Sequence, residues 1–314
     1  MGNSYTTEEG SLVTPDGQEL YTKTWRPVAS IPVKARLVFL HGFSDHCNFH
    51  GPLFPTLAHS GIITYTFDQR GWGRSALLPQ DRGKCGGTQQ VMDDISFFVR
   101  HTLSQQSDQH LPLFMMGHSM GGQETLYYAA AGPKDILSKI RGFIVEAPFV
   151  ALHPKAQPFR ITVMLGRVAA MVLPHMQKMQ KLDSSTICRD EEVAQAFDND
   201  PLCHNMGTLA GLAGMLDRAR ALETGTVRVM DGVGEGGKTR LLITMGTDDQ
   251  ICSWPAVQEL FKHTAVEDKE LKMYEGWYHK LHLEPGKDKD IACADMAKWI
   301  LDRCEGGSRM AAKL

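Results

Sequence analysis

Ser119 lies in Gly117-His118-Ser119-Met120-Gly121, a G-x-S-x-G pentapeptide that follows a short apolar run, Leu111 to Met116, and precedes proline-free sequence from Met120 to Ala131. In a strand-turn-helix setting such a turn is sharp, and the glycines remove the side chains that would keep strand and helix apart. The setting gives the motif its weight, because a chain with 30 glycines meets the bare pattern by coincidence. Gly132-Pro133 then stops the helix. A serine hydroxyl is a weak nucleophile, so acyl transfer needs a base to take its proton and a third group to orient that base.

Both partners are available after Leu241. Asp248-Asp249 follows a strand-like run near Gly246, and His279 follows the last such run in Glu275-Gly276-Trp277-Tyr278-His279. An aspartate in a strand-to-helix loop is commonly a helix cap, and two adjacent aspartates leave room for a cap and an orienting acid. Among the 13 histidines, His279 is favoured over His282 because it directly follows strand and turn, whereas His282 begins the helical tail. Glu146, at another strand end, is the reserve acid. The oxyanion of the tetrahedral intermediate needs fixed donors. One is expected from the amide of Met120 at the new helix N-terminus, the other from the amide of Phe43 in the turn His41-Gly42-Phe43-Ser44 after the strand Leu37 to Leu40.

The elements that must position these residues alternate. A hairpin signal, Asp16-Gly17, lies within Leu12 to Arg26, and short apolar runs follow at Ala35–Leu40, Ile62–Phe67, Leu111–Met116, Gly142–Val145, Leu241–Met245 and Leu271–Tyr274. Helical sequence such as Val91–Leu103 and Ala256–His263 separates most of them. That order implies a largely parallel sheet with helices on both faces. The serine, acid and histidine come in the chain order of the α/β-hydrolases, each at a strand carboxyl end. From about Ala151 to Val227 the alternation stops, no strand is evident, and the composition shifts toward Met, Ala and Leu. The expectation is a core from 1–150 and 228–314 with a helical cap, 151–227, inserted before the glycine-rich loop Gly232 to Gly237.

Bulk properties exclude several classes. With 314 residues, 42% hydrophobic, 22% charged and a net charge of -3, the chain is an ordinary globular protein with no basic footprint for nucleic acid. Seven cysteines without a C-x-x-C pair read as reduced thiols, neither a disulfide framework nor a zinc site. Cys252, close to Asp249, reads as a small buried hydrophobe. There is no secretory h-region, and no run has the roughly 18 apolar residues of a membrane span. Met1-Gly2 with Thr6 fits the loose myristoylation pattern, and Ala312-Lys313-Leu314 resembles a peroxisomal tripeptide.

Taken together, the Asp-Gly…Leu-Tyr-Thr-Lys-Thr-Trp start and the strings from His41 to His46, Phe67 to Ser75, Gly117 to Gly122, Gly246 to Ile251 and Glu275 to Glu284 make the chain resemble the monoacylglycerol lipases. The likeness is to their fungal branch within the serine α/β-hydrolases and spans nearly the whole length. The resemblance implies a triad of Ser119, Asp249 and His279, choosing Asp249 over Asp248 by its place in the Gly246-Thr-Asp-Asp-Gln-Ile251 pattern. It also implies hydrolysis of a monoacylglycerol to fatty acid and glycerol through an acyl-serine, with no metal and no organic cofactor.

The cap fits a lipid substrate. Ile161 to Leu173 is apolar nearly all round, with Arg160 and Arg167 as a narrow polar stripe, so this helix packs on its neighbours, lines an acyl tunnel, or lies on a lipid droplet or membrane. Residues such as Met164, Leu165 and Met171 are open to each of these fates. The location expected is cytoplasmic and peripheral on lipid, with a peroxisomal address as the alternative. A lysophospholipase or broad carboxylesterase with the same triad is the rival activity. A silent hydrolase fold lacks support because all three triad residues are present, and a peptidase lacks an acidic site for a substrate amine.

Overall fold

The computed structural model describes residues 5–156 and 160–304, the side chains of 156–165 excepted. Gly2 and Ala312-Lys313-Leu314 therefore lie outside the described residues, as do the side chains of Met164 and Leu165. The first elements are β1 (Tyr5–Val13), β2 (Glu19–Pro27), β3 (Ala35–Leu40), α1 (Leu53–His59), β4 (Ile62–Phe67), α2 (Thr88–Leu103), β5 (Leu113–His118), α3 (Met120–Ala131), α4 (Lys134–Leu137) and β6 (Ile140–Glu146). Then follow α5 (Arg160–Val172), β7 (Gln177–Met179), α6 (Glu191–Asn199), β8 (Met206–Thr208) and α7 (Leu209–Glu223). The chain returns through β9 (Arg240–Gly246), α8 (Trp254–His263), β10 (Asp268–Tyr274) and α9 (Asp288–Asp302).

Eight strands form one sheet in the order β1-β2-β4-β3-β5-β6-β9-β10. β1 and β2 form the expected hairpin and β2 joins β4 antiparallel, while every pairing from β4 onward is parallel. This is the expected α/β-hydrolase plan. The central strands are fully buried on both faces, which is why they read as continuous apolar runs. Alternate residues serve opposite cores: Val38, Leu40 and Met115 pack with α2 and α3, and Leu37, Phe39 and Met116 pack with α1 and α9.

β5 starts two residues later than its apolar run and continues through Gly117-His118, so it delivers Ser119 directly to the turn. Between β6 and β9 the chain forms α5, α6 and α7 and also a small antiparallel ribbon, β7 paired with β8, where no strand is evident in the sequence. Three-residue strands such as Gln-Lys-Met and Met-Gly-Thr are too short to show a period. Among the described residues no helix is long and apolar enough to cross a membrane.

Candidate active site

Ser119 occupies a strained backbone conformation, φ 57° and ψ −115°, at the single residue between β5 and α3. The neighbouring glycines are required by contact: a Cβ on Gly117 would sit 2.0 Å from the Gly121 carbonyl oxygen, and one on Gly121 would sit 2.2 Å from that of Leu40. The turn is pinned from β6 by the Ser119 amide, which donates to the Glu146 carbonyl at 2.9 Å. Its own carbonyl accepts from the amides of Gln123 at 2.9 Å and Phe149 at 3.0 Å. The serine side chain is left at the floor of a cavity of about 510 Å³, within the roughly 300–1,000 Å³ of small-molecule sites.

Asp249 and His279 meet across 30 residues of chain, with His279 Nδ1 2.7 Å from Asp249 Oδ2. The other carboxylate oxygen accepts the amides of Ile251 at 2.8 Å and Cys252 at 2.9 Å, so the acid is locked in one orientation. Asp249 is buried and Asp248 is exposed. The carboxylate fixes the proton on Nδ1, leaving Nε2 as the basic nitrogen. Ser119 and His279 line the same cavity.

Phe43 and Met120 line it too. The Met120 amide is the first of α3, one of those with no acceptor inside the helix. The Phe43 loop lies close over the serine because Gly42 has no side chain: a Cβ there would come within 3.2 Å of Ser119 Cβ and of His118 Nδ1. The loop is fixed from behind by His41, whose Nε2 accepts the Gln69 amide at 2.9 Å while Nδ1 donates to the Gly42 carbonyl at 2.8 Å. Burial lowers the pKa of His41, in keeping with that neutral tautomer.

Glu146, the reserve acid, does not face His279. Its carboxylate pairs with His282 Nδ1 at 2.6 Å, both side chains being fully buried. His282 is likewise not in a helical tail. It sits in a buried single turn, Leu281–Leu283, and its Nε2 meets His50 Nδ1 at 3.0 Å. Next to His279 in the chain, Lys280 donates to Asp45 at 2.9 Å and to the Phe49 carbonyl at 2.7 Å. No sequence signal pointed to this pair, because 235 residues separate its members.

Among the described residues, two clusters bring His, Cys and Asp close together: His46, Asp200 and Cys203, and Asp249, Cys252 and His279. In each the histidine is already bonded to the carboxylate, at 3.0 and 2.7 Å. Burial raises the thiol pKa of both Cys203 and Cys252.

The segment between β6 and β9 lines the cavity with apolar side chains, among them Leu209, Leu212, Met215 and Leu216 of α7 and Ile187 and Phe197. Its start is sewn to the acid loop by His153 donating to Ile251 and Ser253 donating to Ala151, both at 2.9 Å. Arg167 lines the cavity and pairs with Asp217, so half of the expected polar stripe is an ion pair. Met171 and Val172 point outward, 79% and 75% exposed, next to exposed Val168, Leu173 and Met176.

The family model described as serine aminopeptidase, S33, matches residues 31–286. A Schizosaccharomyces pombe protein provisionally named monoglyceride lipase is 34% identical over 90% of this chain and 71% of its own length. The Homo sapiens monoglyceride lipase is 28% identical over 93% of this chain and 90% of its own. Among solved structures, a soluble variant of the Saccharomyces cerevisiae monoglyceride lipase, in complex with a substrate analog, superposes with a TM-score of 0.85 and 26% identity, covering 96% of each chain.

Proposed function

The chain belongs to the serine aminopeptidase S33 family and, within it, to the monoglyceride lipases, and from that membership we propose that Ser119, Asp249 and His279 hydrolyse monoacylglycerols. His279 Nε2 takes the Ser119 proton as Oγ attacks the ester carbonyl carbon. The resulting oxyanion rests on the amides of Phe43 and Met120. Collapse breaks the ester bond, His279 returns the proton to the departing glycerol, and the acyl group stays on Ser119. Water, deprotonated by His279, then releases the fatty acid and restores the serine.

The observation that carries the reading is the fixed Asp249–His279 pair beside a strained serine at the floor of an apolar, capped cavity. A peptidase is disfavoured on the same ground. Asp45, a buried carboxylate lining the cavity, is neutralised by Lys280 and offers no charge to a substrate amine. The test is released fatty acid from monoacylglycerol, diacylglycerol, triacylglycerol and lysophospholipid offered in parallel. Monoacylglycerol should dominate; preference for lysophospholipid would replace the reading with the rival activity.

Residues 151–227 form the cap and 1–150 with 228–314 the core in this reading. The cap also serves as the contact with a lipid droplet or membrane surface. Support comes from the exposed patch Val168, Met171, Val172 and Leu173 and from exposed Lys155, Lys178 and Lys181 around the cavity mouth. Changing Met171 and Val172 to glutamate should abolish flotation with liposomes, and equal flotation would remove the surface role. A peroxisomal location rests on Ala312-Lys313-Leu314 alone.

A further inference from the structure

α7 has two working faces. Leu209, Leu212, Ala213 and Leu216 line the cavity, while Gly211, Gly214 and Arg218 turn toward the core. The glycines bring the helix close: a Cβ on Gly211 would fall 2.6 Å from Cys85 Sγ, and one on Gly214 would fall 3.1 Å from the Thr88 amide nitrogen. Arg218, 2% exposed, then reaches into α3. Its Nε donates to Gln123 Oε1 at 3.1 Å, Nη2 to Glu124 Oε1 at 3.2 Å and Nη1 to Thr88 Oγ1 at 3.4 Å.

These partners belong to the catalytic framework. Gln123 is one helical turn beyond Ser119, and its amide nitrogen side chain donates to the carbonyls of Phe149 at 2.9 Å and Met215 at 3.0 Å. Phe149 in turn bonds the Ser119 carbonyl. On the other side of α3, the Gln69 side chain donates to the His41 carbonyl at 2.9 Å, just ahead of the Phe43 loop. One polar chain therefore runs from the cavity-lining helix α7 through α3 and Phe149 to the Ser119 turn.

We propose that Arg218 is a positioning residue: it fixes the α7 wall of the acyl cavity to the Ser119 turn and so couples the fit of a long acyl chain to catalysis. The inference rests on the proposed triad and cavity. Adhesion alone does not explain the pair, because apolar residues of like size commonly replace a buried ion pair with no loss of stability. This pair is also incompletely satisfied, with Glu124 Oε2 buried and unpartnered and burial pushing its pKa up to about 7 despite the adjacent guanidinium. What the fork of Arg218 supplies, and an apolar contact does not, is direction: its Nε and Nη2 fix two successive residues of α3.

The test compares Arg218→Met and the double variant Arg218→Leu with Glu124→Leu. For each, kcat and KM are measured on a series of p-nitrophenyl esters from acetyl to palmitoyl and on an 18-carbon monoacylglycerol, alongside thermal unfolding. The double variant removes both charges and is expected to fold with a Tm near that of the wild type, so the test survives if the single variant does not fold. In the folded double variant, the ratio of kcat/KM for palmitoyl over acetyl ester should fall at least tenfold, chiefly through KM. Arg218→Lys should recover only part of it, having no fork. A purely structural pair would change both esters by the same factor, and an unchanged ratio in the double variant overturns the proposal. Failure of the wild type to hydrolyse monoacylglycerol while the ester ratio still falls would instead overturn the substrate reading and leave the coupling in place.

Discussion

Replacing Asp249 by asparagine separates orientation from charge. One carboxylate oxygen is held by the amides of Ile251 and Cys252, at 2.8 and 2.9 Å, and can only be replaced by the amide oxygen. The amide nitrogen must therefore take the position now 2.7 Å from His279 Nδ1 and donate to it. Nδ1 becomes an acceptor, the ring proton moves to Nε2, and the base can no longer receive the serine proton. The lost charge acts in the same direction. A carboxylate about 4 Å from the imidazolium, at an effective dielectric of about 20, is worth about 4 kcal/mol, or roughly 10³ in rate. With the wrong tautomer, the expected loss in kcat is about 10⁴. Stopped-flow or plate assays of p-nitrophenyl butyrate hydrolysis, with the rate of fluorophosphonate labelling, give both readouts. Exposed Asp248 changed to asparagine should stay within about twofold of the wild type. A loss under tenfold for Asp249→Asn, or a larger loss for Asp248→Asn, would refute this argument.

Three further outcomes follow from contacts and burial. Gly121→Ala places a Cβ against two backbone carbonyls, 2.2 Å from Leu40 and 2.6 Å from His41, and should cost about 1–3 kcal/mol by thermal or urea unfolding. Glu146→Ala leaves His282 without its acceptor in a fully buried site and should also cost about 1–3 kcal/mol, yet the folded fraction should keep esterase activity within about tenfold; a larger loss would make Glu146 part of the machinery. His204, stacked on Trp72 at 5.0 Å, has its pKa lowered by burial from 6.5 to about 4. The unfolded chain therefore binds the proton first, and stability should fall as pH drops from about 6.5 toward 4, by about 1–2 kcal/mol after allowance for partial exposure. His204→Gln should flatten that part of the pH–stability curve, which chemical denaturation at several pH values will measure.

The residues that were legible in advance share one property: their neighbours in sequence are also their neighbours in space. Ser119 is presented by the strand and helix flanking it, and β3 and β4 are apolar throughout because both faces are buried. β10, Asp-Lys-Glu-Leu-Lys-Met-Tyr, showed only its last half because it is the sheet's edge strand and is mostly half-exposed. The choice of Asp249 over Asp248 needed the family pattern, since both follow the same strand and only the fold buries one of them. Lys280–Asp45, Glu146–His282–His50 and Arg218–Glu124 had no such signal. Each joins residues far apart in sequence, where no local period or spacing marks the contact.

The most direct test of the central claim is the acyl-enzyme itself. Protein mixed with a monoacylglycerol, quenched in acid within the first turnover and analysed by peptide mass spectrometry should carry one acyl group on Ser119, and Ser119→Ala should carry none. Its kcat should fall by about 10⁶. An acyl group on any other residue, or turnover surviving in Ser119→Ala, would contradict the account.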